Sequence, residues 1–236
     1  MRQYARKKYR RDLEGLLQLD PHRLGRLLGG EILEGRPYAS IRWVLRLKPF
    51  RPLEVFLLYD YDEEFGGDLR VFYARKSLAV PTEDAYVFAW NYLALLARYG
   101  RRDFSLEEAA PASEWLLFRD FASSAQSGTL ENVYLAPRRD LLLTVSPEVA
   151  EVAVRRLDAG AYQALPEGWE VVWPLLGDLL YRLGVAAPGV QVAFDGHGAR
   201  KYAPEFLMSF AWLYLNALLR ECRQVDPALP SLSRYL

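Results

Sequence analysis

Residues 54–74 read EVFLLYDYDEEFGGDLRVFYA, and their pattern sets the fold class. A strongly apolar run ends in an acidic, glycine-containing loop, DEEFGGD, and a second strand-like run, LRVFYA, follows it. Upstream, YASIRWVLRL (residues 38–47) alternates apolar with polar residues, and Pro49 to Pro52 interrupts it. Runs of this kind, rich in β-branched and aromatic residues and bounded by turn formers, predict a β-hairpin followed by a third strand. Downstream, Pro81-Thr82-Glu83-Asp84 opens a predicted helix that continues to Gly100. Upstream, Asp12 is positioned to cap a helix through Leu19, and Asp20-Pro21 starts a second helix that stops at Gly29-Gly30. Ser105 and Glu108 fit a short capping box.

The second half predicts a related sequence of elements. NVYLAPRRDLLLTV reads as a hairpin turning at Pro137 to Asp140, and Ser146-Pro147 starts a helix ending near Gly160. Pro174 to Leu183 reads as a helix closed by Gly184, Val190 to Phe194 as a strand, and Pro204 to Arg220 as a long apolar helix. The two long helices echo one another. At a constant offset of 122, Phe88, Ala89, Trp90, Tyr92, Leu93, Leu96 and Arg98 match Phe210, Ala211, Trp212, Tyr214, Leu215, Leu218 and Arg220. An Ala-Arg-Lys run precedes each, at Ala74 and Ala199. Either a diverged duplication or chance similarity of two leucine-rich helices accounts for this. Both helices are apolar nearly all round, which for helices of this length means burial on several faces. They are expected to pack near a pseudo-two-fold or to flank a shared sheet.

The expected fold is therefore mixed, α+β or α/β, with two β-hairpin/strand-plus-helix halves and two buried apolar helices. A basic helical module is expected over 1–30, the first half over 31–110 and the second over 111–236, joined near the small polar tract ASSAQSG.

Composition narrows the function. The 236 residues carry 30 basic and 30 acidic side chains, with 51% hydrophobic and 14% aromatic residues, an ordinary globular balance. A lone cysteine, Cys222, excludes an internal disulfide framework, and with only His22 and His197 a conventional zinc site is not expected. No Walker, dinucleotide-binding, nucleophile-elbow or HExxH pattern occurs. The charged N-terminus lacks an apolar run behind it, and the longest uncharged runs span 13 and 14 residues, so a cytoplasmic protein without a membrane span is expected. Arginine outnumbers lysine 25 to 5, in keeping with a thermophilic source.

Charge is unevenly spread: residues 1–51 hold 13 basic and five acidic side chains. Arg2, Arg6, Lys7, Lys8, Arg10 and Arg11, interleaved with Tyr4 and Tyr9, suit phosphate contacts with base stacking, or docking on an acidic protein surface. The Arg75/Lys76 and Arg200/Lys201 pairs lie near predicted helix starts, where anions bind.

The sharpest chemical candidate is Asp60 with Asp62. Residues two apart on a strand share a face, so both carboxylates, with Glu63, Glu64 or Asp68, are candidates to hold Mg²⁺ or Mn²⁺ for phosphoryl transfer. Over about ten residues this apolar-run-then-Asp-x-Asp pattern resembles the metal-binding strand of Toprim nucleases and primases, and that of archaeo-eukaryotic primases. The first resemblance implies an upstream glutamate, Glu31 or Glu34, and the second implies a His such as that of Asp195-Gly196-His197. In FDGHGARKY a tight turn at Asp195-Gly196 places His197 beside Arg200 and Lys201, as a candidate general base or phosphate ligand. The expected function is non-catalytic binding or structural assembly through a protein partner or self-association. The alternative is a metal-dependent phosphoryl-transfer enzyme on nucleic acid, and a third reading is nucleic-acid binding alone.

Overall fold

A computed structural model describes residues 11–35, 38–107, 114–187 and 189–231. The fold is mixed α+β, with two antiparallel sheets in two compact units, residues 1–108 and 109–236.

In the first unit a 3₁₀ turn at Gly15–Gln18 precedes α1 (Pro21–Leu27), which Asp20 caps by accepting the His22 amide at 2.9 Å. Four strands follow as a meander in chain order: β1 (Gly30–Ile32), β2 (Ile41–Phe50), β3 (Leu53–Asp62) and β4 (Gly66–Tyr73). A second 3₁₀ turn at Arg75–Ala79 leads into α2 (Thr82–Gly100). The alternation read from the sequence is realised on β3, where Val55, Leu57 and Tyr59 are fully buried on one face. Trp43 stacks on Tyr59 at 5.0 Å, and Phe50 meets Phe88 of α2 edge to face at 5.4 Å. The Tyr59 hydroxyl donates to the Leu13 carbonyl at 2.7 Å, tying the N-terminal turn to the sheet. That turn also meets the end of α2 without space for side chains. A Cβ on Gly15 would lie 2.0 Å from the Gly100 oxygen, and one on Gly100 would lie 1.9 Å from the Asp12 oxygen.

The second unit opens with β5 (Trp115–Leu117) and α3 (Phe118–Phe121). A continuous helical run follows, comprising α4 (Ser124–Thr129), a π-helical stretch (Leu130–Leu135) and α5 (Ala136–Thr144). Then come α6 (Pro147–Leu157), β6 (Ala161–Leu165), β7 (Gly168–Leu176), β8 (Leu179–Ala186), β9 (Gly189–Asp195), α7 (Gly196–Lys201) and α8 (Pro204–Val225). The sheet order is β5-β9-β8-β7-β6. Its core stacks Trp173 on Tyr181 at 5.4 Å and Tyr181 on Phe194 at 5.5 Å, while Tyr214 of α8 approaches Trp173 at 5.8 Å.

Several sequence expectations need correction. Residues 132–144 are helical, not a hairpin turning at Pro137 to Asp140. The buried positions Leu130, Leu135, Arg138, Leu141 and Leu142 recur at helical spacing, which outweighs the strand preference of Val133 and Tyr134. Pro137 has no amide to offer Val133, and the π-helical stretch just before it widens the ladder at that point. Residues 174–183 are strands, not a helix. Leu179, Tyr181 and Leu183 are buried while Leu180 and Arg182 are half-exposed, a period of two, and Gly177-Asp178 is the turn. Pro174 is tolerated because β6 pairs β7 only as far as Val172. Strands β1, β5 and β6 and the first part of β7 carried no secondary-structure prediction, while the end of β7 fell within the predicted helix. Ser105 accepts the Glu107 amide at 3.0 Å in non-helical chain, and Glu108 lies outside the described residues.

The two long helices do not flank one shared sheet; each packs on the sheet of its own unit. Both units nevertheless run helix, four-strand meander, short helical turn, long helix. The echoed positions share burial: Phe88 with Phe210, Ala89 with Ala211, Tyr92 with Tyr214 and Leu96 with Leu218 are buried, and Trp90 and Trp212 are both half-exposed. Because Phe88 and Phe210 both reach 0% exposure, Phe88→Ala and Phe210→Ala should each cost about 3–5 kcal/mol. Urea denaturation should show both losses at comparable size.

Candidate functional site

The Asp-x-Asp pair lies at the end of β3, as its sequence predicts, but the neighbouring strand supplies the partners. Asp60 stands directly across from Asp68 of β4, and Arg70, two residues further along β4, donates to Asp60 Oδ2 at 2.5 Å. Arg70 Nε also lies 3.8 Å from Asp68 Oδ2, so one half-exposed guanidinium bridges both buried acids. Asp62 has a different task. Its Oδ1 accepts the amides of Glu64 at 2.9 Å and Phe65 at 3.0 Å, closing the three-residue turn into β4. Gly66 follows at φ +74, a left-handed conformation that favours glycine and completes the hairpin. Glu63 and Glu64 are exposed in that turn. The predicted loop is thus shorter than DEEFGGD, since Gly66, Gly67 and Asp68 already belong to β4. Among the described residues, no group of three or more His, Cys, Asp or Glu side chains is placed to hold a metal ion. Glu31, the upstream glutamate of the primase-like reading, lies on β1 and pairs with Arg46 of β2.

The FDGHGARKY segment forms a compact polar cluster in the second unit. Asp195 does not make a tight turn but caps α7: its Oδ2 accepts the Gly198 amide at 2.9 Å and its Oδ1 the Leu180 amide at 2.7 Å. Fully buried, it also fastens α7 to the start of β8. The sequence did not indicate the partner of this cluster, Asp178, in the β7–β8 turn. Asp178 Oδ2 accepts from Lys201 Nζ at 2.5 Å, and Oδ1 accepts from the Tyr202 hydroxyl at 2.8 Å. His197 Nε2 stands 3.7 Å from the same Asp178 Oδ2, beyond a hydrogen bond. Asp178 thus bonds Lys201 and Tyr202, and among the described residues no carboxylate hydrogen-bonds His197 Nε2 to orient it as a general base. The two glycines have steric reasons. A Cβ on Gly198 would meet Leu179 Cδ1 at 2.2 Å, and one on Gly196 would meet Glu114 Oε2 at 2.8 Å. Glu114 in turn bonds Arg200 at 2.7 Å on the surface.

The first unit has a counterpart. Lys76, from the earlier Ala-Arg-Lys run, bonds Glu54 Oε2 at 2.7 Å, and Glu54 follows the β2–β3 turn as Asp178 precedes β8. Ser77 Oγ accepts the Glu54 amide at 2.9 Å. In each unit the lysine of this run thus pairs with an acid at the hairpin between the second and third meander strands. Neither lysine is left to form the predicted anion site, while Arg75 and Arg200 are exposed. The hydrogen bond from Lys76, reinforced by the charges of Lys76, Lys48 and Arg46, holds the Glu54 carboxyl below its ordinary range despite partial desolvation.

Other features were not indicated by the sequence. In the second unit a cleft of about 410 Å³ lies between the π-helical stretch, the end of β5 and the part of β9 beyond β5. In the first unit Phe65, Phe72, Leu78 and Tyr86 are exposed large apolar residues, Leu78 at 82%. Of the basic N-terminal set, Arg11 is exposed, and Arg2, Arg6, Lys7, Lys8 and Arg10 lie outside the described residues. Burial pushes the Cys222 thiol up to about 12, so it remains protonated and inert near neutral pH. No helix among the described residues is long and apolar enough to cross a membrane.

The geometry defines a mixed α+β protein whose conspicuous titratable residues serve mainly as internal ties. No protein-family model matches the chain, and no curated protein matches its sequence.

Two outcomes are expected from these ties. Asp178→Ala should cost about 3–5 kcal/mol in urea denaturation, because it strands the largely buried Lys201 ammonium. Adding Lys201→Met should recover part of that loss. Glu54 stabilises the fold fully above the ordinary carboxyl value, and this contribution is lost as pH falls through its lowered folded value. Glu54→Gln should therefore flatten the acid limb of a stability–pH profile below about pH 4.

Proposed function

We propose that the protein is a non-catalytic binding or structural-assembly protein that acts through macromolecular contacts. One observation carries this reading: its conspicuous acids are engaged by neighbouring groups, while large apolar side chains lie on the surface. Arg70 occupies Asp60, backbone amides occupy Asp62 and Asp195, and Lys201 with Tyr202 occupies Asp178. Metal-dependent phosphoryl transfer needs several carboxylates converging on one ion, and among the described residues no three His, Cys, Asp or Glu side chains converge in that way. The exposed Phe72, Leu78 and Tyr86 instead suit an interface, where aromatic and aliphatic anchors supply most of the binding energy. The same reading takes the two units as diverged copies of one ancestral unit, supported by the echoed helices, the common element order and the two lysine–acid pairs. It places the protein in the cytoplasm, with the basic N-terminus as an accessory contact for an acidic partner.

The second reading is phosphoryl transfer on nucleic acid, with Mg²⁺ or Mn²⁺ held by Asp60, Asp62, Glu63 or Glu64 and the basic N-terminus contacting phosphates. Its supporting observation is Asp60 Oδ1, which is buried and accepts no hydrogen bond among the described residues. A thermal-shift titration with Mg²⁺ and Mn²⁺, on wild type and Asp60→Asn/Asp62→Asn, separates the two. Specific binding to the folded state raises its apparent stability. No saturable shift is expected in either protein. A saturable wild-type shift that vanishes in the double variant would establish the metal reading instead.

A further inference from the structure

We infer that the cleft of the second unit binds a small amphipathic carboxylate, with an aryl or alkyl body and one anionic head. This goes beyond the macromolecular contacts proposed above and stands without them.

The starting observation is a glycine that nothing in the chain requires. Gly128 sits inside the helical run, and Thr129 and Leu130 continue after it in right-handed helical conformation. Glycine in a helix interior costs stability relative to alanine, so it is favoured where a side chain would collide. The other helical glycines among the described residues meet that condition. A Cβ on Gly15, Gly25, Gly100, Gly196 or Gly198 would stand 3.4 Å or less from another atom of the chain. A Cβ on Gly128 would meet nothing closer than Asn132 Nδ2, the end of an exposed side chain, at 3.9 Å. Gly128 lines the cleft of about 410 Å³, a volume within the range of small-molecule sites. A residue that breaks a local rule without internal gain marks a functional position. Here the room it leaves lies on the cleft wall.

The rest of the lining sets the chemistry of the ligand. Leu117, Phe118, Leu130, Leu135, Val190 and Val192 make it mainly apolar, which selects an apolar body. Its charged members are Arg119 and Glu131. Glu131 is already paired with Arg139. Arg119 is exposed and makes no ion pair or hydrogen bond with another described residue. Ser127 Oγ, on the same lining, has no hydrogen-bond partner among the described residues either. The cleft therefore offers an incoming anion one guanidinium and one hydroxyl donor. A carboxylate matches the planar guanidinium fork. One cation balances one negative charge, which favours a monocarboxylate over a phosphate monoester carrying close to two.

Isothermal titration calorimetry and thermal shift of the full chain test this, with phenylacetate, naphthoate and octanoate as probes, each beside its neutral amide. At least one carboxylate should bind saturably and raise the melting temperature, with its amide at least about tenfold weaker. Hydrogen exchange should place the added protection at residues 127–135 and 190–192. Arg119→Gln should weaken the carboxylate by at least about tenfold and leave the amide unchanged. Gly128→Ala, which adds a Cβ alone, should raise the melting temperature of the free protein. Gly128→Leu should abolish binding with the circular dichroism unchanged. The inference is overturned if none of the three carboxylates binds, if acid and amide bind alike, or if Gly128→Leu binds as wild type does. A lower melting temperature for Gly128→Ala would overturn it too, because the chain itself would then need the glycine. If Gly128→Leu does not fold, Arg119→Gln and the comparison of acid with amide still decide.

Discussion

Each sheet of this protein has an apolar face that water must not reach, and a long apolar helix packs on it. In the first unit α2 brings Phe88 against Phe50, and the Tyr73 hydroxyl at the sheet's end donates to the Ala85 carbonyl of α2 at 2.9 Å. In the second, α8 brings Tyr214 against Trp173, and α6, whose Ala150, Ala153 and Val154 are buried, packs against α8 as well. A helix covered on several sides needs apolar residues on several sides, which is why both read as almost uninterrupted hydrophobic runs. The remaining features follow from this layer. The short turns before each helix set its entry, and the lysine in each turn reaches back to the hairpin that the helix covers.

The polar interior has a structural logic of its own. Burying Asp178, Lys201 and Tyr202 together satisfies every charge and hydroxyl in the group, whereas any one of them alone would carry a large desolvation cost. Asp195 likewise satisfies two amides that would otherwise be unpaired at the start of α7 and β8. Arg138 is buried in the second unit on the same terms. Its Nε donates to Asn216 at 3.1 Å and its NH1 to the Tyr134 carbonyl at 2.9 Å, which links the π-helical stretch to α8. A side chain that looks catalytic in sequence, such as a buried aspartate next to a histidine, is here part of a closed set of partners. The surface therefore carries the functional argument.

Parts of the site were legible in the sequence. Asp60 and Asp62 stand on one strand end facing the same way, as two-residue periodicity requires, and Asp195 with Lys201 proved to be part of one polar cluster. What periodicity could not show was occupancy. Arg70 reaches Asp60 across a hairpin, and Asp178 reaches Lys201 over a separation of 23 residues, so neither pairing leaves a local signature. The helical run through Pro137 was misread for a related reason. Val133 and Tyr134 favour strands locally, and only the burial of Leu130, Leu135, Arg138 and Leu142 on one side imposes the helix.

The sequence by itself determined the elements whose signals are short-range: the β2–β3–β4 meander from alternation and turn residues, α2 and α8 from length and apolar content, and the caps at Asp20 and Ser146. It also determined the resemblance between the two long helices, position by position. Tertiary structure alone decided which strand lies at which edge, which acid each lysine meets, and that residues 174–183 pair as strands rather than coil as a helix. The physical reason is one of range. Periodicity and capping act between residues a few positions apart, whereas edges, ion pairs and buried faces arise only when distant segments exclude water together.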